Sequence, residues 1–441
     1  MLEAFQARVN TFFNFSNKRL LIAVSGGLDS MVLAHLCLES GFDIELAHCN
    51  FQLRELESDG DAKFVKQWAS RNTVKLHLKV FKTKAYAKKN KRSTQMAARE
   101  LRYTWFDELL EKEGLDYVLT AHHANDSVET NLINWSRGSG LKGLLGIPKK
   151  NDKIMRPLLR FSRKQLEQYA LDTNIQWRED SSNASDDYLR NALRNKVIPA
   201  FEKEVPYLIT NVLNTQEYLQ QSHQLLSVYK EELQRQLMYP INQLIGPQIQ
   251  CIDLAKLEEH KYPEAVLYLL LQDYGFTNWK DVYALRTAQS GKVVFSENHQ
   301  LAKDRDSLQL TERSTGKTTI AYTIAENTSQ VSGDFGKLLL ESTKTMESVV
   351  TNTVYIDKNL VKFPLTIRKW RAGDYFYPFG MKGKKKISKF LKDEKVSLVI
   401  KDNIWLLSTS DEIVWIIGHR LDDRFKVTKQ TQDILKITHS L

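Results

Sequence analysis

A short loop with two glycines and two serines constrains the fold of this 441-residue chain more than any other feature. The loop consists of Ser25, Gly26, Gly27, Leu28, Asp29 and Ser30. It follows the apolar run 20–24 and precedes residues 31–38, which have helical periodicity. Glycine lets a backbone approach an anion closely, and N–H groups at a helix start attract phosphate. The loop therefore predicts a phosphate site, with a divalent cation offsetting the charge of Asp29.

The chain continues with the same alternation of apolar strands and helices. Residues 44–48 begin a second strand after Gly41, and residues 117–121 form a later strand that leads into another loop and helix. Repeated strand–helix units predict a parallel, doubly wound α/β sheet that binds ligands at the carboxyl ends of its strands. We assign residues 1–205 to this N-terminal domain.

The pattern then changes along the rest of the chain. Residues 206–316 have helical spacing followed by short strand-like runs, which predicts a mostly helical middle domain. Residues 317–350 are rich in Thr, Ser and Lys, which predicts a linker or weakly ordered strands. Apolar runs at 404–407 and 413–417 predict that residues 351–441 form a small, β-rich α+β domain.

Charge and cysteine content limit the class of protein. The formal net charge is +10, which favours a polyanionic partner such as nucleic acid. The three cysteines are widely separated, so neither a disulfide framework nor a zinc ribbon is expected. No apolar run has membrane-spanning length and the N-terminus lacks a signal pattern, so we expect a cytoplasmic protein with no membrane partner.

The loop resembles the S-G-G-x-D-S loop of the ATP pyrophosphatase (PP-loop) superfamily. It matches neither the Walker pattern nor the dinucleotide pattern. Members of the superfamily hold the pyrophosphate portion of ATP on this loop and transfer AMP. The resemblance implies that residues 25–30 bind ATP and that residues 1–205 form a catalytic domain.

Further motifs narrow the resemblance to one family. In the first 200 residues they are His48–Arg54, Gln95–Tyr103, Ala121–Thr130, Arg137–Leu144, Arg156–Leu159, Asp180–Asn183 and Tyr188–Arg194. In the last domain they are Arg371–Lys386 and Asp423–Phe425. This ordered series resembles the tRNA(Ile)-lysidine synthetase family. Two positions depart from it, because the family often has Asp where this chain has Asn50 and Asn125.

The resemblance implies a carbon–nitrogen ligase that uses ATP and Mg²⁺. Its substrates would be ATP, L-lysine and an isoleucine tRNA with a CAU anticodon. The wobble cytidine would be adenylated at its C2 oxygen, and lysine would then replace AMP at C2 to give lysidine. This changes the codon and the aminoacylation identity of the tRNA. The sequence leaves the oligomeric state open, a homodimer included.

The resemblance also implies roles for individual residues. Asp29 and Asp126 would hold the metal and take part in catalysis with Arg99 and Arg194, and His122 would bind ATP. The implied tRNA-binding residues are Arg190, Lys382, Lys384, Lys385 and Lys386. We expect the rings of Phe379 and Phe390, which are interleaved with these lysines, to stack on bases, and Glu129 to bind the amine of the attacking lysine. Each has a structural alternative: Asp126 as a helix N-cap, the histidine as a packing residue, the arginines as surface ion pairs and the lysines as a solvated loop.

Two other functions stay open at this point. A PP-loop sulfur transferase would thiolate tRNA and would need reactive thiols, for which only Cys49 lies in a motif. A nucleotide-binding or RNA-binding protein without catalysis would keep the loop as a scaffold. Asp29, Asp126 and both loop serines argue against the second alternative.

Overall fold

A computed structural model of the chain describes residues 1–53, 56–179, 189–241, 248–313, 321–347, 352–394, 396–401, 403–410 and 412–440. Arg54, the motif at 180–183 and Tyr188 lie outside these residues. The chain divides into two compact units, Met1–Leu226 and Ser227–Leu441. Within the described residues, no helix combines the length and apolar character needed to cross a bilayer.

The first unit is built on one six-stranded sheet. Its strands are β1 (Arg19–Ala23), β2 (Asp43–Asn50), β3 (Leu76–Val80), β4 (Tyr117–Leu119), β5 (Lys150–Asn151) and β6 (Ile154–Met155). They are ordered β3-β2-β1-β4-β6-β5. All pairs are parallel except β5 with β6. The predicted parallel sheet is confirmed.

Helices cover both faces of this sheet. They are α1 (Leu2–Phe12), α2 (Leu28–Glu39), α3 (Leu56–Arg71), α4 (Thr83–Lys89), α5 (Thr94–Glu113), α6 (Ala124–Ser136), α7 (Leu141–Leu144), α8 (Arg163–Asp172), α9 (Leu189–Ala192) and α10 (Ile198–Glu204). Side chains alternate across a strand, so Leu20 and Ile22 of β1 pack with α1, α2 and α8. Leu21 packs on the other face with Phe106 and Leu110 of α5. The sheet is therefore doubly wound, as predicted.

The middle of the chain combines helices with a sheet. Its helices are α11 (Leu208–Leu237), α12 (Leu254–Glu258), α13 (Pro263–Leu271) and α14 (Trp279–Ala284). Its strands are β7 (Met238–Ile241), β8 (Ile249–Asp253), β9 (Val293–Phe295), β10 (His299–Asp304) and β11 (Ser307–Glu312). The strands pair antiparallel in the order β7-β8-β11-β10-β9. Leu301, Leu308 and Leu310 of the sheet share one core with α12, α13 and α14.

The C-terminal region is rich in strands, as predicted. These are β12 (Tyr322–Ile324), β13 (Gln330–Gly333), β14 (Gly336–Thr343), β15 (Thr353–Asp357), β16 (Leu365–Lys369), β17 (Tyr375–Phe376), β18 (Lys385–Lys386), β19 (Trp405–Thr409), β20 (Glu412–Ile416) and β21 (Ile434–Ser440). They form the sheets β12-β16-β19-β20 and β13-β14-β21-β15 and the pair β17-β18. Two helices, α15 (Ile387–Asp393) and α16 (Leu398–Lys401), complete the region.

The stretch predicted as a linker contributes to this fold. Its described residues 321–347 contain β12, β13 and β14, and β14 pairs with β21 over seven residues. Leu338 and Leu340 of β14 lie in the core, Leu339 between them is partly buried, and Glu341 and Ser342 beside them are exposed. This short apolar run lies in a stretch rich in Thr, Ser and Lys, and that composition resembles a linker. The domain bounds at residues 205, 316 and 350 remain predictions.

Candidate active site

The phosphate loop links β1 to α2 at the carboxyl end of the sheet. Gly26 has φ +93°, a left-handed conformation that other residues rarely adopt, and Gly27 precedes the first residue of α2. The Ser25 N–H donates to Ser30 Oγ at 3.1 Å, and that hydroxyl donates to the Gly27 carbonyl at 3.0 Å. The Leu28 side chain is buried in the core, so only its backbone faces the loop. These bonds hold the loop in shape without a ligand.

Hydrogen bonds from a residue outside the phosphate loop also stabilise the loop. The Arg178 N–H donates to the Gly26 carbonyl at 2.9 Å, and Arg178 Nε donates to Asp61 Oδ1 at 2.6 Å. A Cβ on Gly60 would lie 3.0 Å from Arg178 Nη2, so the glycine leaves room for the guanidinium. The segment that includes Arg178 is thus fastened both to the loop and to α3.

Asp29 and Asp126 meet on either side of one histidine. His123 Nε2 lies 3.5 Å from Asp29 Oδ2 and 3.6 Å from Asp126 Oδ2. The His123 side chain is 1% exposed. Asp126 Oδ2 also accepts the His123 backbone N–H at 2.9 Å, so His123 is the N-cap residue of α6 and Asp126 caps it from the N3 position of a capping box. Asp29 Oδ1 is buried and accepts no hydrogen bond from the described residues.

Arg194 holds the other side of Asp126, and Arg194 and Arg190 together hold Glu129. Arg194 donates from Nη2 to Asp126 Oδ1 at 2.9 Å and from Nε to Glu129 Oε1 at 2.6 Å. Arg190 Nε lies 3.0 Å from Glu129 Oε2, and its Nη2 donates to Thr130 Oγ1. Glu129 is 1% exposed, so it is a buried carboxylate that depends on both arginines. Its oxygens already accept from the arginines, which argues against our sequence-based suggestion that Glu129 binds the attacking amine.

Charge interactions set the protonation of this cluster. Burial opposes a charged His123, but Asp126 and Asp29 outweigh burial and raise the pKa of His123 above its ordinary value. Burial likewise opposes ionisation of Asp126, yet His123 keeps the pKa of Asp126 below the usual range. Burial lowers the pKa of His122 to about 4, so His122 is neutral near neutral pH. The cluster therefore pairs an anionic Asp126 with a histidine that readily takes a proton.

His122 and Arg99 lie outside the ion-pair contacts that join Asp29, His123 and Asp126. His122 Nδ1 is 3.0 Å from Thr120 Oγ1, an interaction that orients its ring. Arg99 is exposed on α5, and its guanidinium lies 4.7 Å from the Tyr103 ring centroid. Among the described residues, no hydrogen bond or ion pair joins Arg99 to either aspartate. The roles of both residues remain predictions.

The two positions that depart from the family pattern have structural partners. Asn50 Nδ2 donates to Asp59 Oδ1 at 2.9 Å, and its Oδ1 accepts the Gln52 N–H. A carboxylate at position 50 would face Asp59 and repel it. Asn125 Oδ1 accepts the Arg163 N–H at 3.0 Å, at the first residue of α8. An amide therefore suits both positions.

The C-terminal lysines differ in their solvent exposure and in their ion pairing. Lys382, Lys384 and Lys386 are exposed, whereas Lys385 Nζ lies 2.8 Å from Asp393. Lys384 Nζ lies 5.2 Å from the ring centroid of Tyr375, which is half exposed like Phe379. Phe390, which we had expected to offer a stacking surface with Phe379, is buried against Phe376 and cannot do so.

His123 and Glu129 are more central to the site than we predicted from the sequence. Both belong to the motif at 121–130, and each is three residues from Asp126, which brings the three side chains together at the start of α6. That spacing was the available signal. No sequence spacing indicates the ion pair between Glu129 and Arg194, because the two residues are 65 positions apart.

Comparisons with known proteins cover each part of the chain. Residues 1–201 match the PP-loop domain family, residues 246–313 the TilS substrate binding domain and residues 365–437 the TilS substrate C-terminal domain. The tRNA(Ile)-lysidine synthase of Parabacteroides distasonis is 36% identical over 424 residues, which cover 95% of each chain. The enzyme of that name from Bacteroides thetaiotaomicron is 34% identical and is matched over 94% of its length, and that of Porphyromonas gingivalis is 33% identical and is matched over 97%. With a phosphate loop, a paired-aspartate cluster and relatives similar over nearly their whole length, this chain belongs to the tRNA(Ile)-lysidine synthase family.

Proposed function

We propose that this chain is an ATP-dependent ligase that joins L-lysine to C2 of the wobble cytidine in isoleucine tRNA with a CAU anticodon. The observation that carries the proposal is the phosphate loop with Asp29, His123 and Asp126 directly beside it. Similarity to enzymes named tRNA(Ile)-lysidine synthase over nearly the full length supports the choice of substrate class.

The proposed chemistry has two balanced steps. In the first, the C2 oxygen of cytidine attacks the α-phosphorus of ATP, and pyrophosphate leaves. In the second, the ε-amine of lysine attacks C2, the amine loses a proton, and AMP leaves with the former C2 oxygen. The N–H groups at the start of α2 and the hydroxyls of Ser25 and Ser30 would bind the departing pyrophosphate. Leaving-group binding of this kind lowers the barrier of the first step.

The carboxylates beside the loop suit Mg²⁺, although unequally. Mg²⁺ takes one or two carboxylates and completes its shell with phosphate oxygens and water. Asp29 Oδ1 is buried and accepts no hydrogen bond from the described residues, whereas both oxygens of Asp126 accept hydrogen bonds. We propose Asp29 as the principal ligand, with Asp126 as a secondary one. When bound, Mg²⁺ would offset the charge that builds on pyrophosphate.

The remaining predicted residues fit an RNA substrate. Arg190 is about half exposed, so it can contact a phosphate while it still bonds Glu129. Lys382, Lys384 and Lys386 offer exposed charge beside Tyr375 and Phe379, a combination suited to phosphate contact and base stacking. We propose these residues, with a lesser contribution from the ion-paired Lys385, as tRNA contacts. Arg99 and His122 remain candidates for contacts to the adenylate.

Sulfur transfer is disfavoured by the state of the cysteines. Burial raises the pKa of the Cys49 thiol to about 12, and burial also raises the pKa of Cys37. A thiolate is the nucleophilic form of cysteine, so neither residue is activated for sulfur chemistry. Cys251 is also buried.

The test is incorporation of labelled lysine into tRNA. Wild-type protein with ATP, Mg²⁺ and labelled lysine should label isoleucine tRNA that has a CAU anticodon, and should not label the tRNA in which the wobble cytidine is replaced. D29N should lose the labelling and the release of pyrophosphate, while D152N, the same change at an exposed loop residue, should keep both.

Two results would contradict the proposal. Pyrophosphate release with no lysine label would keep adenylation and reject lysine as the nucleophile. Binding of ATP and tRNA with no pyrophosphate release would favour a binding protein without catalysis.

A further inference from the structure

A second cationic cleft lies in the first unit, apart from residues 25–30 of the phosphate loop. It is bounded by α1, by the segment from Ile147 to Arg160 and by α11. Its charged lining residues are Arg8, Lys149, Arg160 and Glu217. Neither the proposed reaction nor the sequence motifs that define the active site use this combination of side chains.

The cleft contains buried donors that lack acceptors. Arg8 Nε and Nη2 are buried and make no hydrogen bond with the described residues, and the same is true of Gln216 Nε2. The Gln216 side chain is 4% exposed, and a Cβ on Gly146 would lie 2.6 Å from its amide atoms. The glycine therefore lets the backbone pack directly on this amide. A buried donor without an acceptor is costly, and such groups usually mark a missing oxygen-bearing partner.

Charge in the cleft is also unbalanced. Glu217 is its one charged acceptor among the lining residues, and it is hydrogen-bonded to Arg160 Nη2. Neither Arg8 nor Lys149 forms an ion pair within the described part of the chain. Burial and the charge of Arg160 lower the pKa of Arg8 to about 10. Burial, Arg8 and Arg160 also lower the pKa of Lys149. The cations therefore repel one another, and an anion would relieve that repulsion.

We infer that this cleft binds an oxyanion of the phosphate class. Its oxygens would accept hydrogen bonds from Arg8 and Gln216, and Lys149 and Arg160 would complete the neutralisation of its charge. Arginine matches the geometry of phosphate oxygens, whereas a cation or an apolar ligand would leave the buried donors unpaired. The phosphate comes either from a free ion or from the backbone of a bound RNA.

Thermal denaturation of the full chain tests the site with inorganic phosphate as the probe, against chloride at equal ionic strength. The variants are R8Q and K149Q, and the control is K150Q, which neutralises the adjacent lysine that does not line the cleft. Near tenfold above the dissociation constant, phosphate should raise the melting temperature of wild type and K150Q by about 3 °C more than that of R8Q or K149Q. Phosphate bound at residues 25–30 contributes equally to all four proteins, so it cancels in this comparison.

Equal phosphate shifts in K149Q and K150Q would overturn the inference. Lys149 is partly exposed, so K149Q decides the matter even if R8Q fails to fold. A second assay identifies the source of the phosphate, and it alone rests on the proposed function. If RNA supplies it, the salt dependence of tRNA binding should have a logarithmic slope lower by about one in K149Q than in K150Q. Equal slopes with a positive phosphate assay would assign the site to a free anion.

Discussion

Replacing Arg194 with alanine removes three charge-assisted hydrogen bonds from the centre of the site. These bonds run to Asp126 Oδ1 at 2.9 Å and to Glu129 at 2.6 and 3.1 Å. Glu129 is almost fully buried, so it cannot exchange the lost partner for water. The variant should therefore destabilise the first unit and reduce adenylation together.

The contacts of Arg194 determine how much free energy of unfolding the R194A variant should lose. Removing one partner of a buried ion pair costs about 3–5 kcal/mol. Arg190 still bonds Glu129 at 3.0 Å and the His123 N–H still bonds Asp126, so we expect the lower end, about 3 kcal/mol. R194K keeps the charge but not the forked geometry, and it should lose about half as much. R190A is the control, because that side chain is 47% exposed and should cost less than about 1 kcal/mol.

Urea unfolding with and without ATP measures these losses. The transition that ATP shifts to higher urea reports the unit that contains the phosphate loop. With a slope of about 2 kcal/mol per molar urea, R194A should lower its midpoint by about 1.5 M. Pyrophosphate release by the same variants measures adenylation. Losses that are equal and small in R194A and R190A would refute the reasoning, since they would mean that Glu129 does not depend on Arg194.

Three further predictions address other parts of the molecule. S30A removes the hydroxyl that shapes the phosphate loop, so calorimetry should show ATP affinity lower by about tenfold. Because burial raises the pKa of the Cys49 thiol to about 12, mass spectrometry should show slow alkylation of Cys49 in the native chain and fast alkylation in urea; fast native labelling would contradict this. Burial opposes ionisation of Asp374, but hydrogen bonds from Arg368 and the Arg371 N–H hold the pKa of Asp374 below its ordinary value. The stability it contributes is present at neutral pH and lost as pH falls through that lowered pKa, so D374N should be less stable near neutrality and should lose less stability on acidification below about pH 4.

Local features of the site could be predicted from the sequence. The phosphate loop is contiguous, and its strand and helix flanks fix where it lies in a parallel sheet. Asp126 also follows a strand at the same edge, so its approach to Asp29 could be expected from topology. What the sequence did not convey was that His123 lies between the two carboxylates.

Features that depend on packing could not be predicted in the same way. The bond between Arg194 and Glu129 joins residues 65 positions apart, and only the packed arrangement of helices brings them together. The error on Phe390 was avoidable, because Ile387, Phe390 and Leu391 have the spacing of a buried helix face. Strand β14 was predicted only as a linker or a weakly ordered strand, because its three consecutive leucines lie in a stretch rich in Thr, Ser and Lys.

The arrangement around Glu129 couples the stability of the catalytic unit to its chemistry. Arg194 holds Glu129, a buried residue of α6, and the same guanidinium fixes the Asp126 oxygen that faces away from His123. Any change that frees Arg194 therefore loosens the C-terminal helices of the unit and misplaces a carboxylate of the site. Among the residues that the structure describes, the hydroxyl of Ser30 bonds only to its own loop, so its loss should affect ATP binding with little effect on folding. Activity should therefore fall together with stability in R194A and R194K. In S30A, activity should fall while stability stays nearly unchanged.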